Sequence, residues 1–282
     1  MRMFLPCLAL LAAPALAQDA WLTLPDAPAM PPPADSGVAP LDGAAMHWAS
    51  YGDPDDSTPV LLIHGGLGHA DLWAAQVADL SAENRVIVAD TRGHGRSTNE
   101  DGAYSYDRLT ADYVALLDHL GVERVDLVGW SDGANIGLAM ALSHPQRLNS
   151  LFAHAGNVTL DGIDPAVAED ATFGAYVVAM GEDYAALSPT PDGFDAFLGG
   201  VAAMWETEKP GGLDALAAVD VPVIVVQSEH DEAILERHAR DIAAAIPGAA
   251  YRELAGVSHF AMLQDPEGYS AAVRDWLAAV GE

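Results

Sequence analysis

The sequence holds a single cysteine, Cys7, and a single lysine, Lys209. One thiol can neither close a disulfide within the chain nor build a multi-thiolate metal site, so both are excluded. Basic residues are scarce throughout: 12 Lys and Arg face 41 Asp and Glu, a formal charge of −29. Such a field repels phosphate backbones and anionic lipid surfaces, which excludes nucleic acid as a partner. Long apolar runs are also missing. The mostly apolar stretch from Met3 to Ala17 is shorter than the roughly 20 residues that cross a bilayer, so no stable membrane insertion is expected. Neither G-x-x-x-x-G-K-[ST] nor G-x-G-x-x-G occurs, which removes the common phosphate cradles.

What is present begins with an export pattern. Met1-Arg2 is a short positive start, Met3 to Ala13 an apolar centre, and Ala15-Leu16-Ala17 an A-x-A cleavage site. Residues 1–17 therefore read as a signal peptide, and a periplasmic or secreted location is expected. Cleavage would also remove Cys7. Residues 18–37 carry Pro25, Pro28, Pro31, Pro32 and Pro33, and read as an extended lead-in outside the fold. The acidic excess reads as a solvated surface, with adaptation to a salty medium as the sharper alternative.

From residue 38 onward, short β-rich runs alternate with helical patterns. Strands are expected over 45–51, 59–63, 85–89, 124–128, 148–153, 221–227 and 251–254. Helices are expected over 71–80, 109–120 and 132–143. Val221 to Val226 is nearly continuous β-branched sequence, as in a strand buried on both faces. This alternation predicts an α/β fold with a mostly parallel sheet covered on both sides. Residues 158–219 break it, with helical patterns only. They read as a helical cap over the carboxyl edge of a core formed by 38–157 and 220–282.

The chemistry concentrates at that edge. Gly129-Trp130-Ser131-Asp132-Gly133 is a G-x-S-x-G elbow between an expected strand and an expected helix, a turn that lifts the Ser131 hydroxyl above the sheet. A serine hydroxyl needs a base, and the base needs an orienting acid. Asp231 follows the strand ending near Gln227, and His259 follows the strand ending near Leu254. Glu229 is the rival acid. His64-Gly65-Gly66-Leu67-Gly68 follows an apolar strand and offers backbone N–H groups, so the amides of Gly66 and Asp132 are the expected oxyanion donors. Leu67, Trp73, Trp130 and Phe260 are the candidates to touch substrate, with Phe173 and Trp205 beside them. The Asp132 carboxylate has three readings: a helix cap, a partner of Arg, or a holder of a substrate ammonium group. No metal site is expected.

His64-Gly65-Gly66, Asp90-Thr91-Arg92-Gly93-His94-Gly95-Arg96-Ser97, the Ser131 elbow, Asp231 and His259 together resemble the α/β-hydrolase superfamily. The resemblance implies eight strands, a cap after the sixth, no cofactor and an acyl-enzyme intermediate. The Asp90–Ser97 stretch reads as structural, with an ion pair expected for Arg92 ahead of the alternative, a contact with substrate. Gly-Trp-Ser-Asp-Gly resembles the elbow of the valacyclovir hydrolase (biphenyl hydrolase-like) group, whose members cleave α-amino-acid esters. The resulting expectation is a serine hydrolase of small carboxylic esters. An aminopeptidase of the proline-iminopeptidase type, a lactonase and a carbon–carbon bond hydrolase are the enzymatic alternatives. A ligand receptor without turnover is the non-enzymatic one.

Overall fold

The computed structural model describes residues 19–56, 58–207 and 209–281. The signal peptide expected at 1–17 lies outside the described residues. Among these, no helix is long and apolar enough to cross a membrane.

The elements run β1 (Asp35–Leu41), β2 (Ala44–Tyr51), β3 (Val60–Ile63), α1 (Ala74–Leu80), β4 (Val86–Ala89), α2 (Tyr106–His119), β5 (Val125–Trp130), α3 (Asp132–Ser143) and β6 (Leu148–His154). Then come α4 (Ala171–Leu187), α5 (Phe194–Thr207), β7 (Val223–Ser228), α6 (Glu236–Ala245), β8 (Ala250–Leu254), α7 (Ala261–Gln264) and α8 (Pro266–Val280). The strands form one sheet in the order β1-β2-β4-β3-β5-β6-β7-β8. β1 and β2 are antiparallel to their neighbours and every later pairing is parallel. The strands β3, β4 and β7 are buried along their whole length, as their unbroken apolar runs require.

Strand order reverses around β3, whose two parallel neighbours are β4 and β5. In open sheets of this kind, the crevice at the carboxyl ends beside such a reversal is where ligands bind. The Gly65–Gly68 turn and Ser131 leave the sheet there. Helix ends are fixed locally: Ser105 Oγ accepts the Arg108 N–H at the start of α2, and Asp170 accepts those of Thr172 and Phe173 at the start of α4.

The lead-in differs from its sequence reading. β1 already begins at Asp35, within the 18–37 segment, and holds Pro40 opposite Ala45. An edge strand tolerates proline because one row of its N–H groups needs no partner. Further back, Ala20–Leu22 makes a 3-10 turn, and Leu24 and Met30 pack against the core. α4 and α5 occupy the interval between β6 and β7. They meet the core through Tyr176 with Gly66, Trp205 with Asp132, and His69 with Asp183.

Candidate active site

Ser131 sits between β5 and α3 with φ 55° and ψ −117°, a conformation that side chains disfavour. Its neighbours hold it there. Ser131 N–H donates to His154 O at 2.9 Å, and its carbonyl accepts from Asn135 N–H at 3.0 Å. A Cβ on Gly129 would strike the backbone of Gly133, and one on Gly133 would strike the carbonyl of Ile63. The two glycines of the elbow are therefore required by backbone approach.

Asp231 lies in the loop after β7 and His259 in the loop after β8. His259 Nδ1 is 3.0 Å from Asp231 Oδ1 and 3.2 Å from Oδ2, and the two side chains are 2% and 1% exposed. Asp231 Oδ1 also accepts the N–H groups of Ala233 and Ile234 at 2.9 and 2.8 Å. Burial opposes charge on both residues, yet each partner's charge outweighs it. The imidazole pKa is raised by Asp231, with Glu232 behind it, and the Asp231 carboxyl is held below the usual range by His259 and the Ile234 amide. The rival acid is elsewhere: Glu229 accepts the Gly256 N–H at 2.8 Å in an exposed position.

Sequence reasoning missed Glu232. Its Oε2 accepts the backbone N–H of His259 at 3.0 Å, and its Oε1 accepts from Ser258 Oγ at 3.4 Å. Burial pushes its carboxyl pKa up. Adjacency to Asp231 was its one sequence signal.

At the carboxyl end of β3, His64 fixes the glycine turn. Its Nδ1–H donates to Gly65 O at 2.7 Å and its Nε2 accepts the Thr91 N–H at 3.0 Å. A neutral ring satisfies both bonds, and burial lowers the pKa to about 4. Leu67 turns the chain at φ 66°. Tyr176 of α4 donates its hydroxyl to Gly66 O at 2.9 Å. A side chain on Gly66 would collide with the Trp205 indole and the Asp132 carboxylate. Asp132 opens α3, where a main-chain N–H has no partner within the helix.

A family model of the α/β hydrolase fold matches residues 58–195. The structure of an enol-lactonase from Burkholderia xenovorans superposes with a TM-score of 0.69 at 26% identity, over 86% of this chain and 100% of that one. The chain belongs to the α/β-hydrolase superfamily. Over 109 residues it is 36% identical to 3-oxoadipate enol-lactonase 2 of Acinetobacter baylyi, covering 38% of this chain and 40% of the relative. Over 109 residues it is also 39% identical to a Caulobacter segnis protein named for carbamate hydrolysis, covering 38% and 41%. The match thus spans about two fifths of the length of these curated relatives.

The fold gathers some of the expected substrate-side residues and not others. Trp130 and Phe260 join the His259 ring, at 5.6 Å between centroids in each case, and Phe173 and Tyr176 of the cap complete the cluster. Trp130 Nε1 also donates to His259 O at 2.8 Å, so the indole braces the histidine loop. Leu67 is buried in the turn beside Gly66. Trp73 is a correction. The 3-10 turn Ala70–Trp73 delivers its ring, fully buried, onto Tyr269 of α8 at 5.9 Å, which makes it core.

The Asp132 carboxylate takes neither of the structural roles expected of it. Among the described residues it makes no side-chain cap and meets no arginine. Its Oδ1 accepts the Tyr106 hydroxyl at 2.6 Å and its Oδ2 accepts Trp205 Nε1–H at 2.7 Å, so both oxygens are bonded within the protein. The carboxylate thereby ties α2, the elbow and α5 together. Arg92 does form the expected ion pair: its Nε and Nη2 each donate to Asp112 at 2.6 Å, buried, while the guanidinium also meets the carbonyls of Asp42 and Gly43.

Proposed function

We propose that this hydrolase cleaves carboxylic esters of small molecules, lactones included, through Ser131, His259 and Asp231, and that it acts outside the cytoplasm. The observation that carries the reading is the buried pair of His259 Nδ1 and Asp231 Oδ1 at 3.0 Å, on the same sheet edge as a serine at φ 55°. With Nδ1 committed to Asp231, Nε2 is the ring nitrogen left for the serine proton. His259 takes that proton as Ser131 attacks the carbonyl, and Asp231 steadies the imidazolium. The amides of Gly66 and Asp132 receive the oxyanion, each such donor typically contributing about 2.7–4 kcal/mol. Return of the proton expels the alcohol, and water then releases the acid by the same steps in reverse.

Lactones enter the reading because both the Acinetobacter relative and the Burkholderia structure carry enol-lactonase names. A lactone is an ester whose leaving group stays attached, so one machinery serves both. Location outside the cytoplasm rests on Met1-Arg2, the apolar stretch and Ala15-Leu16-Ala17. A panel of p-nitrophenyl esters and γ- and δ-lactones, run beside Ser131→Ala, tests the chemistry. The expected result is a burst of p-nitrophenol from the parent and a loss of about a millionfold in kcat for the variant. Parental turnover by Ser131→Ala would remove the reading.

A further inference from the structure

The chain ahead of β1 bears directly on both catalytic loops. The Trp21 ring stacks on His230 at 4.5 Å between centroids and 27° between planes. Two residues later the carbonyl of Thr23 accepts Gln264 Nε2–H at 2.8 Å. The same amide group grips the histidine loop. Its Nε2 also donates to Ser258 Oγ at 2.9 Å, and its Oε1 accepts the Ser258 N–H at 2.7 Å. Ser258 Oγ in turn donates to Glu232, which accepts the His259 N–H.

The positions matter. His230 immediately precedes Asp231, and Ser258 immediately precedes His259. The N–H groups of Ser258 and His259 are held by the side chains of Gln264 and Glu232, not by a strand neighbour. Their placement therefore depends on where those two side chains are fixed. Past Thr23 the segment runs on beside α4, and Leu24 and Met30 join Tyr176 and Met180 around a cavity of about 410 Å³. One piece of chain thus contacts the acid loop, the histidine loop and the cap.

We propose that Trp21–Thr23 is a positioning strap that sets the separation of the Asp231 and His259 loops, through Trp21 on His230 and Gln264 on Ser258. The proposal rests on the hydrolase reading of Ser131, His259 and Asp231. Triad geometry is unforgiving, since displacement by about 1 Å can lower the rate about 100-fold. Trp21 loads the acid loop from outside by ring stacking, and Gln264 joins the strap backbone to the histidine loop, its Nε2 donating to Thr23 O and Ser258 Oγ and its Oε1 accepting the Ser258 N–H.

The test uses the full chain, p-nitrophenyl butyrate as substrate, and active sites counted with a fluorophosphonate. Trp21→Ala removes the stack. Gln264→Glu keeps the shape of the side chain but loses the donor to Thr23 and Ser258. Each should lower kcat per active site about tenfold and change KM by less than about twofold, and Trp21→Phe should return kcat to within about twofold of the parent. A strap that only adds stability would lower the melting temperature and leave kcat per active site unchanged, and that result in either variant overturns the proposal. Ser131→Ala in the same assay keeps the two readings apart. If it is inactive while the strap variants match the parent, the strap alone falls; if it turns over, the hydrolase reading falls.

Discussion

Two buried carboxylates stand at the sheet edge within reach of the chemistry, and their surroundings drive them in opposite directions. Asp231, in the loop after β7, faces an imidazole and two backbone N–H groups, and its carboxyl is held below the usual range. Asp132, at the elbow, faces two neutral donors, Tyr106 and Trp205, and burial drives its carboxyl above that range. Desolvation acts on both. What separates them is a bonded cationic partner, which compensates a buried charge where neutral hydrogen bonds do so only in part. The histidines repeat the lesson. His259, bonded to Asp231, has its pKa raised, whereas His154, whose Nε2 meets only the Ser228 hydroxyl, is pushed by burial down to about 3. In the proposed mechanism the acid loop holds the charge that steadies the imidazolium, while the elbow carboxylate bonds the cap to the core.

That contrast can be broken most directly by neutralising each acid. Asp231→Asn should lower kcat by about 10,000-fold, because the imidazole loses both its orienting acceptor and the charge that stabilises its protonated form. Asp132→Asn should lower it by no more than about tenfold, because an amide can still accept from Trp205 and donate to the Tyr106 oxygen. Equal losses in steady-state assays would end the distinction.

Acid stability sharpens the histidine half. His64, His94 and His154 are buried, with pKa values lowered to about 4, 3 and 3 from the ordinary 6.5. A depressed folded-state pKa stabilises the protein above the unfolded value, and that contribution disappears as pH falls through the folded value. The melting temperature should therefore drop steeply between about pH 6.5 and 3, by a loss of order a few kcal/mol per histidine. A flat profile by calorimetry would mean that these rings are not neutral in the fold.

Asp132→Leu should cost about 1–3 kcal/mol of stability, since it strands the Tyr106 and Trp205 donors, and Asp132→Asn should cost less. Urea denaturation of the two variants ranks them. The smallest effect is electrostatic. Activity should fall as pH drops through the raised pKa of His259, and Glu232→Gln, which removes one of the charges raising it, should move that acid limb to lower pH. A limb that stays put or rises in the pH–rate profile would deny Glu232 this role.

The parallel core was legible because β3, β4 and β7 are unbroken apolar runs between turn residues. The elbow was legible because Gly129 and Gly133 are demanded by backbone contacts within one turn, which any chain making that turn must respect. β1 was hidden by Pro40 and by the exposed alternation of an edge strand. Trp73 misled because a tryptophan soon after a glycine turn resembles a pocket wall until the 3-10 turn before it sets its direction. Asn157-Val158-Thr159 fits the Asn-x-Thr form of an N-glycosylation acceptor, a fit that the fold does not support. Asn157 is buried, with its side chain accepting from Asn135 at 2.9 Å.

By itself the sequence determined the layered α/β plan, the elbow and the chain order of serine, acid and histidine. Each of these follows from periodicity or from sterics acting over a few neighbouring residues. Only the tertiary structure decided what Asp132 does, since its partners Tyr106 and Trp205 lie 26 and 73 residues away along the chain. The same holds for the strap, whose bond from Gln264 to Thr23 closes a separation of 241 residues. Contacts of that range are chosen by how packed layers meet, and no local pattern in the chain encodes them.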